Sequence, residues 1–252
     1  METSDFYGTE KVSRILLKIA PPVMLAQLIQ ALYNIVDSFF VGKYSETGLT
    51  ALSIIYPVQL LMIALGVGTG VGINTDMAYY LGIGKKKKAE EVAGTGTPLG
   101  LILWIIFAAV CYVTLPAYAG MSTDSPEVIR DVVAYGRIVC LFSIGLFTEG
   151  IWSKILQAEG DMRTPMIAQI AGAVVNIILD PLLIFGMLGM PEMGISGAAV
   201  ATVSGQIVAA LIVMKKAWYR SPRRSCYPGH IKRIYQLGIP NIIMQSAYTL
   251  YI

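Results

Sequence analysis

The amino-acid sequence predicts an all-α polytopic membrane protein with six complete transmembrane helices and the beginning of a seventh. Three observations carry this. Hydrophobic residues make up 55% of the 252-residue chain and charged residues only 14%, where a water-soluble domain carries about a quarter charged. The apolar residues come in long blocks, each matching the roughly 20 helical residues that cross a hydrocarbon core of ~30 Å. The lysines and arginines fall in alternate gaps between those blocks.

The apolar blocks are residues 15–41, 50–80, 93–118, 128–156, 165–187 and 196–218, then 234 onward. The first begins near Ile15, after the polar segment 1–14. It is too long for a signal-peptide core and no small-x-small cleavage site follows, so it reads as a retained helix. Pro21 and Pro22 weaken its inner part, because proline lacks the N–H of a helical hydrogen bond. Ser125-Pro126-Glu127 reads as an N-cap, a first-turn proline and a first-turn acid. Thr164-Pro165 opens the fifth block in the same way, and Gly186, Gly189, Pro191 and Gly194 interrupt the chain between the fifth and sixth. The organisation expected is a cytoplasmic segment 1–14, a six-helix membrane unit 15–218, a basic loop 219–233 and the first part of a further helix, 234–252.

Basic residues orient the unit. One set of segments holds Lys11, Arg14 and Lys18, then Lys85 to Lys88, Lys154 and Arg163, and the run from Lys215 to Arg233. The alternate set holds only Lys43 and Arg130. The basic set is expected in the cytoplasm, with the N-terminus, in a multi-pass plasma-membrane protein. The lysine run 85–88 reads as a topology anchor, and no basic face suits nucleic acid.

Several function classes have no residues to support them. Cys111, Cys140 and Cys226 lack C-x-x-C spacing, and His230 is the only histidine. No G-x-x-x-x-G-K-[ST] loop occurs, since Gly42-Lys43 is followed by Tyr44 and Gly84-Lys85 by Lys86. The expectation is a protein that is not an enzyme, needs no cofactor, and takes its energy from an ion gradient of H⁺ or Na⁺. The run Gly66-Val67-Gly68-Thr69-Gly70-Val71-Gly72 follows an apolar helix rather than a strand, so it reads as a close-packing helix face.

A spacing recurs. Pro22-x4-Gln27-x5-Tyr33 is repeated as Pro240-x4-Gln245-x5-Tyr251, each after a basic segment. Six blocks separate the copies, so both run in the same direction across the membrane, as in parallel-repeat transporters. The second copy is expected to open a second lobe of which this sequence holds only the start.

Charges inside the blocks are the candidate site. Asp37 and Asp180 lie in the outer halves of the first and fifth blocks, and a carboxylate at that depth faces a cavity or a partner. Asn34 and Asn176 lie three and four residues before them, on the same helix faces. Pro22 and Pro181 are the candidate kinks, and Gln30 and Tyr33 the candidate cavity residues. Glu149 and Asp76 fit either a site or an interfacial position. Two acids sharing a desolvated pocket repel each other, so the pair is expected to take up a proton or Na⁺ and to release a competing cationic substrate.

The residues resemble those of the multidrug and toxic compound extrusion (MATE) family. The resemblance rests on Gln27 to Gly42, on Ala51-Leu52-Ser53, Tyr56-Pro57 and the glycine run to Gly72-Ile73-Asn74. It continues in Glu159-Gly160-Asp161-Met162-Arg163-Thr164-Pro165, Asn176 to Gly186, and Gly194-Ile195-Ser196-Gly197. It implies the six-helix transmembrane N-terminal lobe of a MATE-like twelve-helix transporter, plus part of a seventh helix. It implies alternating access and export of lipophilic, often cationic drug-like compounds driven by H⁺ or Na⁺ entry. It also implies that Asp37, Asn176 and Asp180 form the cation site of this lobe; Asn34 comes from helical spacing alone. A lipid-linked saccharide flippase of related architecture, or a one-lobe fragment that transports nothing, are the alternative readings.

Overall fold

A computed structural model of the chain describes residues 11–223 and 226–251. Residues 1–10 of the predicted N-terminal segment, and Arg224 and Ser225 of the predicted loop, lie outside the described residues, as does the side chain of Tyr251. Among the described residues eight α-helices follow in order: α1 Val12–Tyr44, α2 Glu46–Gly82, α3 Lys86–Ser122, α4 Pro126–Leu141, α5 Ile144–Ala158, α6 Arg163–Ile184, α7 Ile195–Ala217 and α8 Tyr227–Tyr251. No strand occurs among the described residues. In lipid every backbone N–H and C=O must be bonded within the protein, which a helix achieves within its own segment.

Five helices and the bent pair α4–α5 are long and apolar enough to cross a membrane. The predicted fourth span, 128–156, therefore needs correction: it is two helices meeting at 45°. Neither proline nor glycine marks the break. Ser143 donates to the Cys140 carbonyl at 2.7 Å, satisfying a group that the interrupted helix leaves open. The predicted loop 219–233 is also shorter than expected. Tyr227 opens α8, and Pro228 is tolerated in its first turn, where no N–H is needed. At Pro22 and Pro181 both α1 and α6 continue as helix without a break.

Local chemistry sets the helix ends. Ser45 alone separates α1 from α2, and its hydroxyl accepts from the Gly48 N–H at 3.2 Å. Pro126 is the first residue of α4, as its sequence context predicts. Gly186 and Gly194 turn the chain between α6 and α7 with φ of 67° and 55°, a region that suits glycine.

Packing depends on small residues. A Cβ added at Gly172 would lie 2.7 Å from the Gly205 carbonyl oxygen, and one at Gly205 would lie 2.5 Å from the Gly172 oxygen. Thus α6 and α7 touch backbone to backbone. Gly68 and Gly72 of the Gly66–Gly72 run do the same for α2 against α8. A Cβ at Gly72 would sit 2.1 Å from the Ile234 oxygen. Around these seams lie two apolar cores. One holds Ile55, Tyr135, Phe147 and Ile184, with Cys111 and Cys140 as free packing thiols. The other holds Ile73, Trp152, Ile155 and Ile234. Large apolar side chains such as Ile105, Ile106 and Val113 of α3 point outward, a surface suited to lipid.

The end of the bundle that carries the Gly84–Lys88 turn, here the basic end, is clipped by one polar cluster. Asp161 accepts from the Thr164 N–H at 3.0 Å and its hydroxyl at 2.6 Å, and from Lys216 Nζ at 3.1 Å. The start of α6 is thereby tied to the end of α7. Burial pushes the Asp161 carboxyl up, but the Thr164 hydrogen bonds and the Lys216 ammonium outweigh it and hold the group below its ordinary range.

Two outcomes are expected. Gly172→Leu separates α6 from α7 and costs about 1–3 kcal/mol, read as a lower melting temperature in detergent micelles; an unchanged melt refutes the contact. The Asp161 contribution is complete above the unfolded carboxylate value of ~4 and is lost as pH falls through the lower folded value. The wild-type chain should therefore out-melt Asp161→Asn at pH 6 to 7 and lose that advantage towards pH 3.

Candidate functional site

A cavity of about 800 Å³ opens between the helices. Its walls come from α1, α2, α5, α6 and α7, with Tyr135 of α4 and Met244 and Gln245 of α8. Among membrane helices it is unusually polar. Gln30, Asn34 and Asp37 of α1 face Gln59 of α2, Glu149 and Lys154 of α5, Asn176 of α6 and Gln206 of α7 across it.

Asp37 is 6% exposed, Asn176 2% and Asp180 fully buried. The Asn176 side-chain amide donates to Asp180 Oδ1 and to Thr202 Oγ1, both at 3.4 Å. Asp37 comes from α1, which packs on α6, and is near enough to Asp180 for their charges to interact. Asp37 Oδ1, Asn176 Oδ1 and Asp180 Oδ2 are buried yet take no hydrogen bond among the described residues. Three acceptor oxygens left open in an apolar bundle suit a proton or a small hard cation. No cluster of three His, Cys, Asp or Glu side chains with metal-site geometry occurs among the described residues.

The structure gathers most of the residues that the sequence singles out. Gln30, Tyr33, Asn34 and Asp37 line the cavity along α1, with Pro22 at its basic end. Asn176 lines it from α6, while Asp180 lies behind Asn176 and does not. Pro181 lies on α6 away from the cavity wall. Asn34 reaches the cavity but makes no hydrogen bond to Asp37 among the described residues. Other polar wall residues carry no rarity signal in the sequence. Thr202 accepts the Asn176 amide, and Tyr135 accepts a hydrogen bond from Gln59 at 3.2 Å.

Two further charged groups behave differently from their sequence reading. Lys154, grouped above with the basic loops, lies within α5 and lines the cavity, as does Glu149, which accepts from the Ser153 hydroxyl at 2.6 Å. Asp76 is fully buried near the basic end of α2 and pairs with Arg233 of α8 at 2.5 Å. The Arg233 guanidinium also lies 4.6 Å and 5.0 Å from the ring centres of Tyr79 and Tyr80. One turn earlier, His230 is a mostly buried residue facing Glu91 at 3.7 Å, not the surface residue its basic neighbours suggest.

Among the described residues, up to six membrane-capable crossings, counting the bent pair as one, surround a polar, carboxylate-bearing cavity. The MatE family model matches residues 22–182, and the chain belongs to the MatE family. A probable multidrug resistance protein, NorM, from Thermotoga maritima is 28% identical over 95% of this chain and 53% of its own length. An FAD transporter from Shewanella oneidensis is 28% identical over 79% of this chain and 44% of its own. A solved transporter of the MOP superfamily from Pyrococcus furiosus, described with reverse polarity of its binding pocket, superposes with a TM-score of 0.83 at 26% identity. That match covers 92% of this chain and 52% of the other. The chain spans about half the length of the curated relatives it matches.

The Asp76–Arg233 pair predicts a thermodynamic cycle. Arg233→Leu alone should lower stability by about 2 kcal/mol, because Asp76 is left buried and unpaired, and Asp76→Asn should cost less, because the Arg233 side chain is 39% exposed and keeps its tyrosine contacts. The double change to Leu and Met should recover most of the loss. Single variants that melt like the wild type would show that the pair does not hold α8 to α2.

Proposed function

We propose that the chain is the ion-binding lobe of a secondary active multidrug efflux transporter that exchanges lipophilic, often cationic compounds for H⁺ or Na⁺. The observation that carries this is the set of open buried oxygens on Asp37, Asn176 and Asp180 beside the cavity. A cation entering this pocket offsets one of the two negative charges in a low-dielectric bundle and relieves their repulsion, so it favours the packing of α1 on α6 that encloses them. A cationic compound in the cavity loses its attraction to Asp37 when that happens, and is released. The basic end of the bundle, with the N-terminus, is cytoplasmic in this reading, in a plasma-membrane protein. The name of the Shewanella oneidensis relative supports a substrate range wider than cations.

The flippase alternative needs several cationic side chains facing a diphosphate. Among the described residues the cavity wall holds Lys154 alone against Asp37 and Glu149. Arg137 lies instead over the Tyr112 ring at 5.0 Å, off the wall. Charge therefore favours cation exchange.

Dye export from liposomes under an imposed proton or Na⁺ gradient tests the proposal. Asp37→Asn and Asp180→Asn should each cut gradient-driven export about tenfold or more, the scale set by losing one charge-assisted interaction in a dry site. Undiminished export in both variants overturns it.

A further inference from the structure

The cavity holds a cation of its own that the exchange of cations does not use. Lys154 is the single basic side chain on the wall among the described residues. An ammonium inside a membrane helix bundle is costly and is normally paired with a carboxylate. Glu149, on the same helix, lies near enough for its charge to act on the ammonium, but no carboxylate oxygen is within ion-pair distance of it among the described residues, and Glu149 is hydrogen-bonded to Ser153. Nζ donates to Gln157 Oε1 at 2.9 Å. An ammonium carries three N–H donors, so one hydrogen bond leaves it unfilled.

The position is built. The Lys154 stem runs through a gap between α2 and α5 that Gly70 keeps open. A Cβ at Gly70 would lie 2.8 Å from Lys154 Cγ and 2.9 Å from the Gly150 carbonyl oxygen. The Lys154 backbone is held as well, because the Asn74 side-chain amide donates to its carbonyl at 2.8 Å. The stem is thus confined in a dry cleft while the ammonium reaches the wall. The same cavity is lined by the carboxylate residues Glu149 and Asp37 and by the apolar side chains of Val67, Leu146 and Met166.

Resting on the reading of this cavity as a substrate site, we infer that Lys154 is a substrate-recognition residue. It anchors the carboxylate of amphoteric aromatic compounds whose cationic end lies toward Glu149 and Asp37. The cavity volume of about 800 Å³ accommodates one molecule of that size.

Two dyes separate the carboxylate from everything else. Rhodamine 110 has a free carboxylate, and rhodamine 123 is its methyl ester with the same cationic ring system. Fluorescence anisotropy titrations use the full chain in lipid nanodiscs. Lys154→Gln should weaken rhodamine 110 binding about tenfold and change rhodamine 123 binding less than about twofold, as expected for loss of one charge-assisted hydrogen bond. Lys154→Arg should restore rhodamine 110 binding. The rhodamine 123 titration shows in each variant that the cavity is intact. Equal weakening of both dyes, or no weakening of rhodamine 110, overturns the role of Lys154 alone. A wild-type chain that binds neither dye overturns the substrate-site reading together with it.

Discussion

At Gly172 and Gly205 the backbones of α6 and α7 are in contact, with no room for a Cβ on either side. Ordinary helix pairs stand 8–10 Å apart, held off by their side chains. At that spacing the short side chains of Asn176 and Thr202 would not meet. With the helices in contact they do, one turn from the glycines, at 3.4 Å. The bonded Asn176 amide then presents itself to Asp180, and α1 docks on the same helix to bring in Asp37. The polar centre of the bundle is therefore a consequence of two missing methyl groups.

The acids of the bundle divide by how they are answered. Asp76 has Arg233, and Asp161 has Thr164 and Lys216. Both sit toward the basic end, and both join one helix to another. Asp37 and Asp180 have one unpaired oxygen each, with only an amide between them. A bundle that can pair two of its acids with nearby cations is capable of pairing all of them. These two acids, left without a nearby cation, differ in that respect from the pairs that join one helix to another.

Much of this is legible in the order of the residues alone, because the bilayer simplifies the problem. Long apolar blocks have one solution in lipid, and a charge inside such a block stands out. Asp37, Asn176 and Asp180 are legible for that reason, and the Gly66–Gly72 run because close helix packing needs small side chains. Other features are hidden for equally physical reasons. Lys154 lies one turn from the end of α5, where hydropathy cannot tell a loop from a cavity floor. Thr202 and Tyr135 are ordinary residues in apolar helices, and only a partner from another helix reveals them. The break at Phe142 and Ser143 depends on a hydroxyl that replaces a helical hydrogen bond, so neither proline nor glycine announces it. The pairing of Asp76 with Arg233 spans most of the chain, a separation that local patterning does not reach.

That break has a mechanical side. With α4 and α5 meeting at 45°, α5 has an axis of its own, and it is α5 that carries Glu149, Ser153, Lys154 and Gln157. From Ser143 to Lys154 the helix forms an arm of about 17 Å at ~1.5 Å per residue, so a tilt of about 10° at the joint carries the ammonium roughly 3 Å. A displacement of that size makes or unmakes a hydrogen bond while α4 stays where it is. Within one crossing, α4 and the segment that bears the cavity's charged side chains therefore lie on separate axes.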